Sequence, residues 1–396
     1  MARKDPAQAL AQNLIDALKQ KGDLIDSTLE EAFLAVPRHT FLPDLPLEKV
    51  YADEAIATKR DADGSVLSSS SQPSMMALML RQLRLRPGDN VLEIGTGTGY
   101  NAAIMQYIVG ETGSVTSVEL DKEVAVSARV HLQHARIGNN VTVVDADGAM
   151  GYAPRAAYDR IIATVGVWDI PPAWVKQLKS NGILVAPMWI EGGQVSAAFT
   201  LQPDGSLYSA RNLPCGFITL RGIAAGPNVY RRVSGSGLTL STTEANRLDG
   251  AAVHSLLSDG GEISHLLSPM TADDYWNGFT AYLAIQPPEG YMFAQYMVGE
   301  NQQAYGLEGS GFAIITSGSA CFVPYNGNGI AHAFGGADAF LALQDSLNAW
   351  DKAGRPGSAN LRLQLLPKRS AKPVETKPMS RLYNRQYHDL LVWLDR

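Results

Sequence analysis

Residues Val91-Leu92-Glu93-Ile94-Gly95-Thr96-Gly97-Thr98-Gly99-Tyr100 constrain the fold more than any other stretch. An apolar run suited to a buried strand leads straight into three glycines at alternate positions, and a helix-compatible sequence follows. Glycine lets the backbone turn sharply and approach a ligand closely, while a helix start presents N–H groups that no helical carbonyl accepts. The chain is therefore expected to form strand, tight turn and helix here. The spacing E-x-G-x-G-x-G departs from the dinucleotide pattern G-x-G-x-x-G, and no P-loop lysine follows, which argues against nucleotide hydrolysis. A tight turn without a ligand is the plainer alternative.

The surrounding chain alternates in the same way. Strand patterns fall at Val91–Ile94, Ser114–Glu119, Val141–Asp145, Arg160–Thr164 and Gly182–Met188, with helical segments at Ala102–Val109, Lys122–His134 and Pro172–Gln177. Alternation at this spacing predicts a parallel sheet covered by helices on both faces. A further apolar stretch, Gln194–Leu201, before Pro203-Asp204-Gly205 predicts an antiparallel hairpin closing the sheet. Residues up to 85 read as helical and loop-rich. They hold an amphipathic helix with Leu10, Leu14, Ile15 and Leu18 on one side, and a second helix, Ser27–Ala35, whose Ser27 and Glu30 fit a capping box. The loop LSSSSQPS, residues 67–74, then leads into an apolar helix, Met75–Leu83.

A chain of 396 residues is long for one core, and two domains are expected. Residues 1–222 form the α/β domain; 223–241, rich in Gly, Ser and Arg, form a linker; 242–396 form an α+β domain. In the last, helices are expected at Thr243–Leu257 and Ala337–Ala353, strands at Phe279–Ile285, Gly311–Phe322 and Leu361–Leu366, and a final amphipathic stretch at Leu382–Leu394. Between these last two, residues 368–378 read as a solvated linker.

Composition excludes several classes. Hydrophobic residues at 45% and charged residues at 18% are ordinary for a globular protein. A formal net charge of −6 argues against a nucleic-acid partner, whose surface is normally met by basic residues. No signal-peptide core or membrane-length apolar run occurs, so a cytoplasmic protein without membrane contact is expected. Cys215 and Cys321 lie far apart and are expected as buried free thiols. Among seven histidines there is no H-E-x-x-H, and His131 and His134 share a helix face without a carboxylate, so no metal site is expected.

Two acids extend the glycine loop into a candidate site. Glu119, followed by Leu120, ends the next strand, where an acidic side chain reaches ribose hydroxyls. Asp147-Gly148 follows the third strand, placed to accept from an adenine amino group; an Asx turn is equally compatible. Three elements in order, one per strand end, are far more specific than any one alone.

Further segments then point to one family. They are Val36-Pro37-Arg38-His39-Thr40-Phe41-Leu42-Pro43, Val50-Tyr51-Ala52-Asp53-Glu54-Ala55, Ser71-Gln72-Pro73 with its Met- and Ala-containing helix, Asp147-Gly148, Tyr158-Asp159-Arg160-Ile161-Ile162-Ala163-Thr164, and Ile170-Pro171-Pro172 with Gln177-Leu178-Lys179 and Gly182. With the glycine loop, whose spacing fits class I methyltransferases, they make residues 5–220 resemble the protein-L-isoaspartate O-methyltransferases. The resemblance implies a Rossmann-like fold with S-adenosyl-L-methionine held by Glu93, Gly95, Thr96, Gly97, Gly99, Glu119, Leu120, Asp147 and Gly148. It implies methyl transfer to a carboxylate oxygen of a peptide or protein bearing aspartate or isoaspartate. It nominates Ser71, with Ser70 beside it, as the serine loop that closes over the carboxylate, and Gln72, Pro73, Val165 and Trp168 at the substrate mouth. Taken alone, the serine run also reads as a flexible polar loop, and Trp168 as a packing aromatic.

A carboxylate of ordinary pKa, near ~4, is already ionised at neutral pH, so no general base is required. The protein must mainly align the reacting atoms and exclude water. Two features depart from the repair enzymes: the chain continues beyond 222, and Val165-Gly166-Val167-Trp168-Asp169 stands where those enzymes usually carry small residues. The arrangement looks like a related group that modifies ribosomally made peptides, in which methylation of a chosen aspartate leads to succinimide and isoaspartate. On that reading the extension, with Trp276, Tyr282, Tyr291, Phe293, Tyr296 and Tyr305, recognises the peptide. General repair of isoaspartyl proteins and an inactive cofactor-binding module are the alternatives. The sequence sets no oligomeric state.

Overall fold

Asp5 caps the first helix, α1 (Pro6–Lys21), by accepting from Ala7 N, and Gly22 ends it at φ +80°. Leu14, Ile15 and Leu18 turn into the core as their spacing requires. α2 (Ser27–Ala35) begins where expected, but its cap is Asp26, which accepts from Thr28 and Leu29 N–H. With Asp26 as the cap, Glu30 falls one residue past the position a capping box requires, and Lys19 Nζ holds it at 2.8 Å instead. The computed structural model describes residues 5–137, 140–268, 270–299, 302–326, 328–368 and 377–395.

After α3 (Leu47–Val50) comes an element the sequence reading missed: an antiparallel hairpin of β1 (Ile56–Arg60) and β2 (Val66–Ser70), with Ile56 opposite Ser70. Most of the serine run is therefore strand rather than loop. α4 (Pro73–Leu83) follows. Then β3 (Asn90–Ile94), β4 (Ser114–Glu119), β5 (Val141–Asp145), β6 (Tyr158–Ala163) and β7 (Leu178–Trp189) form a parallel sheet in the order β5-β4-β3-β6-β7. The connections carry α5 (Tyr100–Val109), α6 (Lys122–Ala135) and α7 (Pro172–Gln177). β8 (Gln194–Leu201) lies beside β7, with the short β9 (Leu207–Ser209) and β10 (Asn212–Cys215) after it, and β10 runs antiparallel to β8. This is the expected Rossmann-like α/β architecture. Strand order reverses at β3, so the crevice beyond the carboxyl ends of β3, β4 and β6 is where such sheets place ligands. Phe33, Leu80, Val91, Ile104, Val115 and Ile162 belong to the apolar core beneath it.

The chain divides into two compact units that do not follow sequence order. The first comprises residues to Pro187 with Ala198–Leu207 and Phe217–Gly226; the second comprises Met188–Ala197, Tyr208–Gly216 and the residues from Pro227 on. The second unit holds an antiparallel sheet of β11 (Tyr230–Arg232), β12 (Leu238–Ser241), β13 (Gly261–His265), β14 (Met292–Val298), β15 (Ser310–Ile315), β16 (Ser319–Pro324) and β17 (Ile330–Gly335), in the order β11-β12-β14-β15-β16-β17-β13. β18 (Leu361–Pro367) and β19 (Ser380–Asn384) both pair with β20 (His388–Leu394), so the final amphipathic stretch is mainly strand.

Three expectations here are corrected. The helix expected at Thr243–Leu257 is α8 (Gly250–Ser258): Asp249 caps it, while Thr242 and Thr243 are engaged by the Glu191 carboxylate. Phe279–Ile285 is not a strand. A π-helical turn, Asp274–Phe279, runs into α9 (Thr280–Ile285), burying Tyr275, Phe279, Tyr282 and Leu283 at helical spacing. The expected strand Gly311–Phe322 is two strands, β15 and β16, joined by a turn, and α10 (Asp338–Lys352) falls where a helix was expected. Of the six aromatics singled out in the extension, Phe293, Tyr296 and Tyr282 are buried, and Trp276 is 38% exposed. Residues 369–376 of the expected linker lie outside the described residues. Among the described residues both cysteines are free and buried, and no helix is long and apolar enough to cross a membrane.

Candidate functional site

A cleft of about 780 Å³ opens in the first unit beyond the carboxyl ends of β3, β4 and β6. Its walls are Leu67–Ser71, Ile94–Thr98 with Tyr100 and Asn101, Val118–Leu120, Gly148, Thr164–Val165 and Ile218–Arg221.

The glycine loop forms the floor. Gly95, Gly97 and Gly99 have φ of +96°, +53° and +87°, in the region that favours glycine. A Cβ on Gly95 would sit 2.7 Å from Thr164 Oγ1, whose hydroxyl donates to Gly95 O at 2.6 Å. At Gly97 it would stand 3.1 Å from Ser69 O, so the loop passes directly beneath the serine run. Gly148 meets Ile94 as closely: an added Cβ would lie 2.6 Å from Ile94 Cγ2. Gly99 stands at the N-cap of α5, behind the cleft wall.

The three acids take different places. Glu119 lines the cleft beside Leu120; its Oε2 accepts from Gly97 N and its Oε1 from Asp121 N, both at 3.1 Å. Glu93 is fully buried and does not line the cleft. Its carboxylate accepts from Asn101 Nδ2 at 2.8 Å and Ser117 Oγ at 2.5 Å, and Ser117 Oγ lies 2.6 Å from Thr96 Oγ1. Burial pushes the Glu93 carboxyl up to about 7; its bonds from Ser117 and Asn101 pull against that, and the Glu119 charge adds to it. Asp147 also lies behind the lining. Its oxygens accept from Ala149 N at 2.9 Å and Ile223 N at 2.8 Å, the second bond fastening residues 222–223 to this turn.

Ser70 and Ser71 both line the cleft. What holds them is a residue the sequence reading treated only as part of a family segment, Arg38, which donates to Ser71 O at 2.9 Å and Ser70 Oγ at 3.4 Å. Gln72 and Pro73 lie outside the lining: Gln72 Nε2 donates to Asp53 O at 3.0 Å, and Pro73 opens α4. Val165 is in the wall, whereas Trp168 stands away from it, its Cβ against Gly226. Ile218–Arg221 was also missed. That segment is stitched to Gly166, whose N–H donates to Ile218 O and whose carbonyl accepts from Leu220 N–H, both at 2.8 Å.

A glycine loop at the first parallel strand, an acid closing the second and a cleft at their carboxyl ends define a Rossmann-like cofactor site, and the family match over this part of the chain makes it that of a class I S-adenosylmethionine-dependent methyltransferase. Residues 9–224 match the family model described as Protein-L-isoaspartate(D-aspartate) O-methyltransferase (PCMT), and the chain belongs to that family. Among its relatives, the protein-L-isoaspartate O-methyltransferase of Methanopyrus kandleri is 36% identical over 211 residues, 53% of this chain and 91% of the relative. That of Ignicoccus hospitalis is 39% identical over 210 residues, 53% and 96% of the two chains. A solved protein-L-isoaspartate O-methyltransferase aligns with 89% of this chain and 96% of its own, at 26% identity and a TM-score of 0.52. Its likeness reaches well past the family segment, into the C-terminal half.

Proposed function

We propose that the enzyme methylates the carboxylate of isoaspartyl residues in proteins and peptides, the ester then cyclising to a succinimide as the neighbouring backbone nitrogen displaces methanol. One observation carries the reading. The ionisable side chains lining the cleft are Glu119, Tyr100 and Arg221, and burial drives the Tyr100 phenol well above its usual pKa. Glu119 is the acid among them, and both its oxygens already accept main-chain N–H groups, from Gly97 and Asp121, while a neutral phenol and a guanidinium take no proton at neutral pH. A carboxylate acceptor has no proton to lose.

The residues fit the cofactor. The lining offers the Glu119 carboxylate, the Thr96 and Thr98 hydroxyls and glycines whose missing Cβ atoms leave the backbone exposed to a ligand. Glu119 would hold the ribose, Gly148 and Leu120 would flank the base, and Gly95–Gly97 would face the remainder. Glu93 orients Asn101 directly and Thr96 through Ser117, and Asp147 braces the turn that presents Gly148. When bound, S-adenosylmethionine supplies an activated methyl group. Ser70 and Ser71 would orient the acceptor carboxylate, with Val165 at the mouth, while the hairpin that carries the serines excludes water.

Aspartate of a dedicated peptide remains the competing acceptor. The long extension and its aromatics speak for it, but a solved protein-L-isoaspartate O-methyltransferase aligns with most of the extension, and three of those aromatics are core. Labelled donor incubated with an isoaspartyl peptide and its aspartyl counterpart separates the readings. Methylation of the isoaspartyl peptide alone is expected. Turnover confined to the aspartyl form, in a longer partner, would replace this reading with the tailoring one, and cofactor binding without product would leave a recognition module. A cytoplasmic setting belongs to the same proposal.

A further inference from the structure

Arg38 is the side chain whose placement folding alone explains least. It opens the short 3₁₀ turn Arg38–Phe41 and is fully buried. Among the described residues no carboxylate lies within ion-pair distance of it, and its Nε has no hydrogen-bond partner. A buried charge is costly unless paired or richly hydrogen-bonded, and an apolar side chain of similar volume would avoid that cost. The guanidinium is held by oxygens: Nη1 donates to Ala52 O at 3.2 Å, and Nη2 faces Glu54 O at 3.3 Å, Ser71 O at 2.9 Å and Ser70 Oγ at 3.4 Å. Its Cζ stands 5.9 Å from the centre of the Tyr100 ring. Ser70, Ser71 and Tyr100 line the cleft; Arg38 itself does not. Burial lowers its pKa from the usual value, yet arginine stays protonated at neutral pH.

We propose that Arg38 is the positioning residue for the acceptor: its fork fixes Ser70 and Ser71 over the cleft, and its charge, one side chain behind them, favours an anionic group there. The inference rests on the carboxylate reading above. The planar fork fixes several oxygens at once, which a lysine ammonium cannot do, and a charge inside the protein is little screened by salt.

The test compares wild type, Arg38→Lys and Arg38→Met for turnover of an isoaspartyl peptide, affinity for S-adenosylhomocysteine, and backbone hydrogen exchange. In Arg38→Met the peptide KM should rise roughly tenfold or more, with S-adenosylhomocysteine affinity within about threefold of wild type. Arg38→Lys, keeping the charge but losing the fork, should recover most of the KM and leave kcat low. KM and cofactor affinity worsening together would mean general loosening and would overturn the proposal, as would no change in either. Should Arg38→Met not fold, Arg38→Lys decides it. Faster exchange over residues 66–72 with unchanged exchange over 94–99 supports positioning, and equal exchange in both segments refutes it. If the wild-type enzyme methylates no isoaspartyl peptide, the function reading fails, while the exchange comparison still judges whether Arg38 positions the serines.

Discussion

Glu93 shows how a single buried residue couples the glycine loop to pH. Its carboxyl sits near 7 when folded against 4.5 for the free group, so between those values the folded state binds more protons than the unfolded one. Stability from this group is thus fully present below pH 4.5 and lost as pH rises through 7, on the order of 3 kcal/mol in all. Glu93→Gln should flatten that part of the stability profile, checked by urea unfolding at several pH values across the window; an unchanged slope would contradict it. The glycines and Glu119 were legible because strand ends and spacing betray them. Asp147 was half legible: its turn was foreseen, but not that both its oxygens meet main-chain N–H groups, one of them 76 residues away. Arg38 was legible only as a member of a family segment, without its role, and residues 218–221 were not legible at all. Their partners are mostly backbone carbonyls and amides distant in sequence, and no periodicity records which carbonyl a side chain will meet.

Among the elements, the β1–β2 hairpin bears most directly on the cleft. Lys59 on β1 holds Asp121 at 2.7 Å and Glu123 at 2.7 Å, beside the strand end that carries Glu119, while β2 supplies the serines. Both pairs are open to solvent and screened by it, so they add little to global stability. Lys59→Met should therefore barely move the thermal midpoint, yet release S-adenosylhomocysteine severalfold faster in stopped-flow displacement; an unchanged release rate would show the clasp to be idle. The hairpin escaped the sequence reading because β1, Ile-Ala-Thr-Lys-Arg, buries only Ile56 and β2 is mostly serine. The core strands β3, β4 and β6, by contrast, carry apolar runs that announce burial on both faces. Phe279–Ile285 failed differently: its aromatic and β-branched content favours strand, and the helical period emerges only when Tyr275 is included.

For the whole molecule, the sequence pointed to a boundary at residue 222, whereas Met188–Ala197 and Tyr208–Gly216 belong with the second unit. Their partners lie far downstream. Buried Glu191 meets Thr242, Thr243 and Arg381, Asn212 Nδ2 donates to Leu361 O at 2.7 Å, and Arg385 donates to Trp189 O at 3.0 Å. Ending the chain after Gly226 strands these groups at roughly 1–3 kcal/mol each, so the shortened protein should aggregate or melt far below the full chain; an unchanged melting temperature would contradict the interleaving. Strand-by-strand reading could not reveal it, because nothing local marks which end of a hairpin joins a later sheet.

The central claim is that the methyl group arrives on a carboxylate oxygen. Its most direct test is the chemistry of the product formed with methyl-labelled donor and an isoaspartyl peptide. A carboxyl ester predicts that mild alkali releases the label as volatile methanol, in step with succinimide formation. Label that survives alkali on the peptide, as an N-methyl group would, contradicts the account.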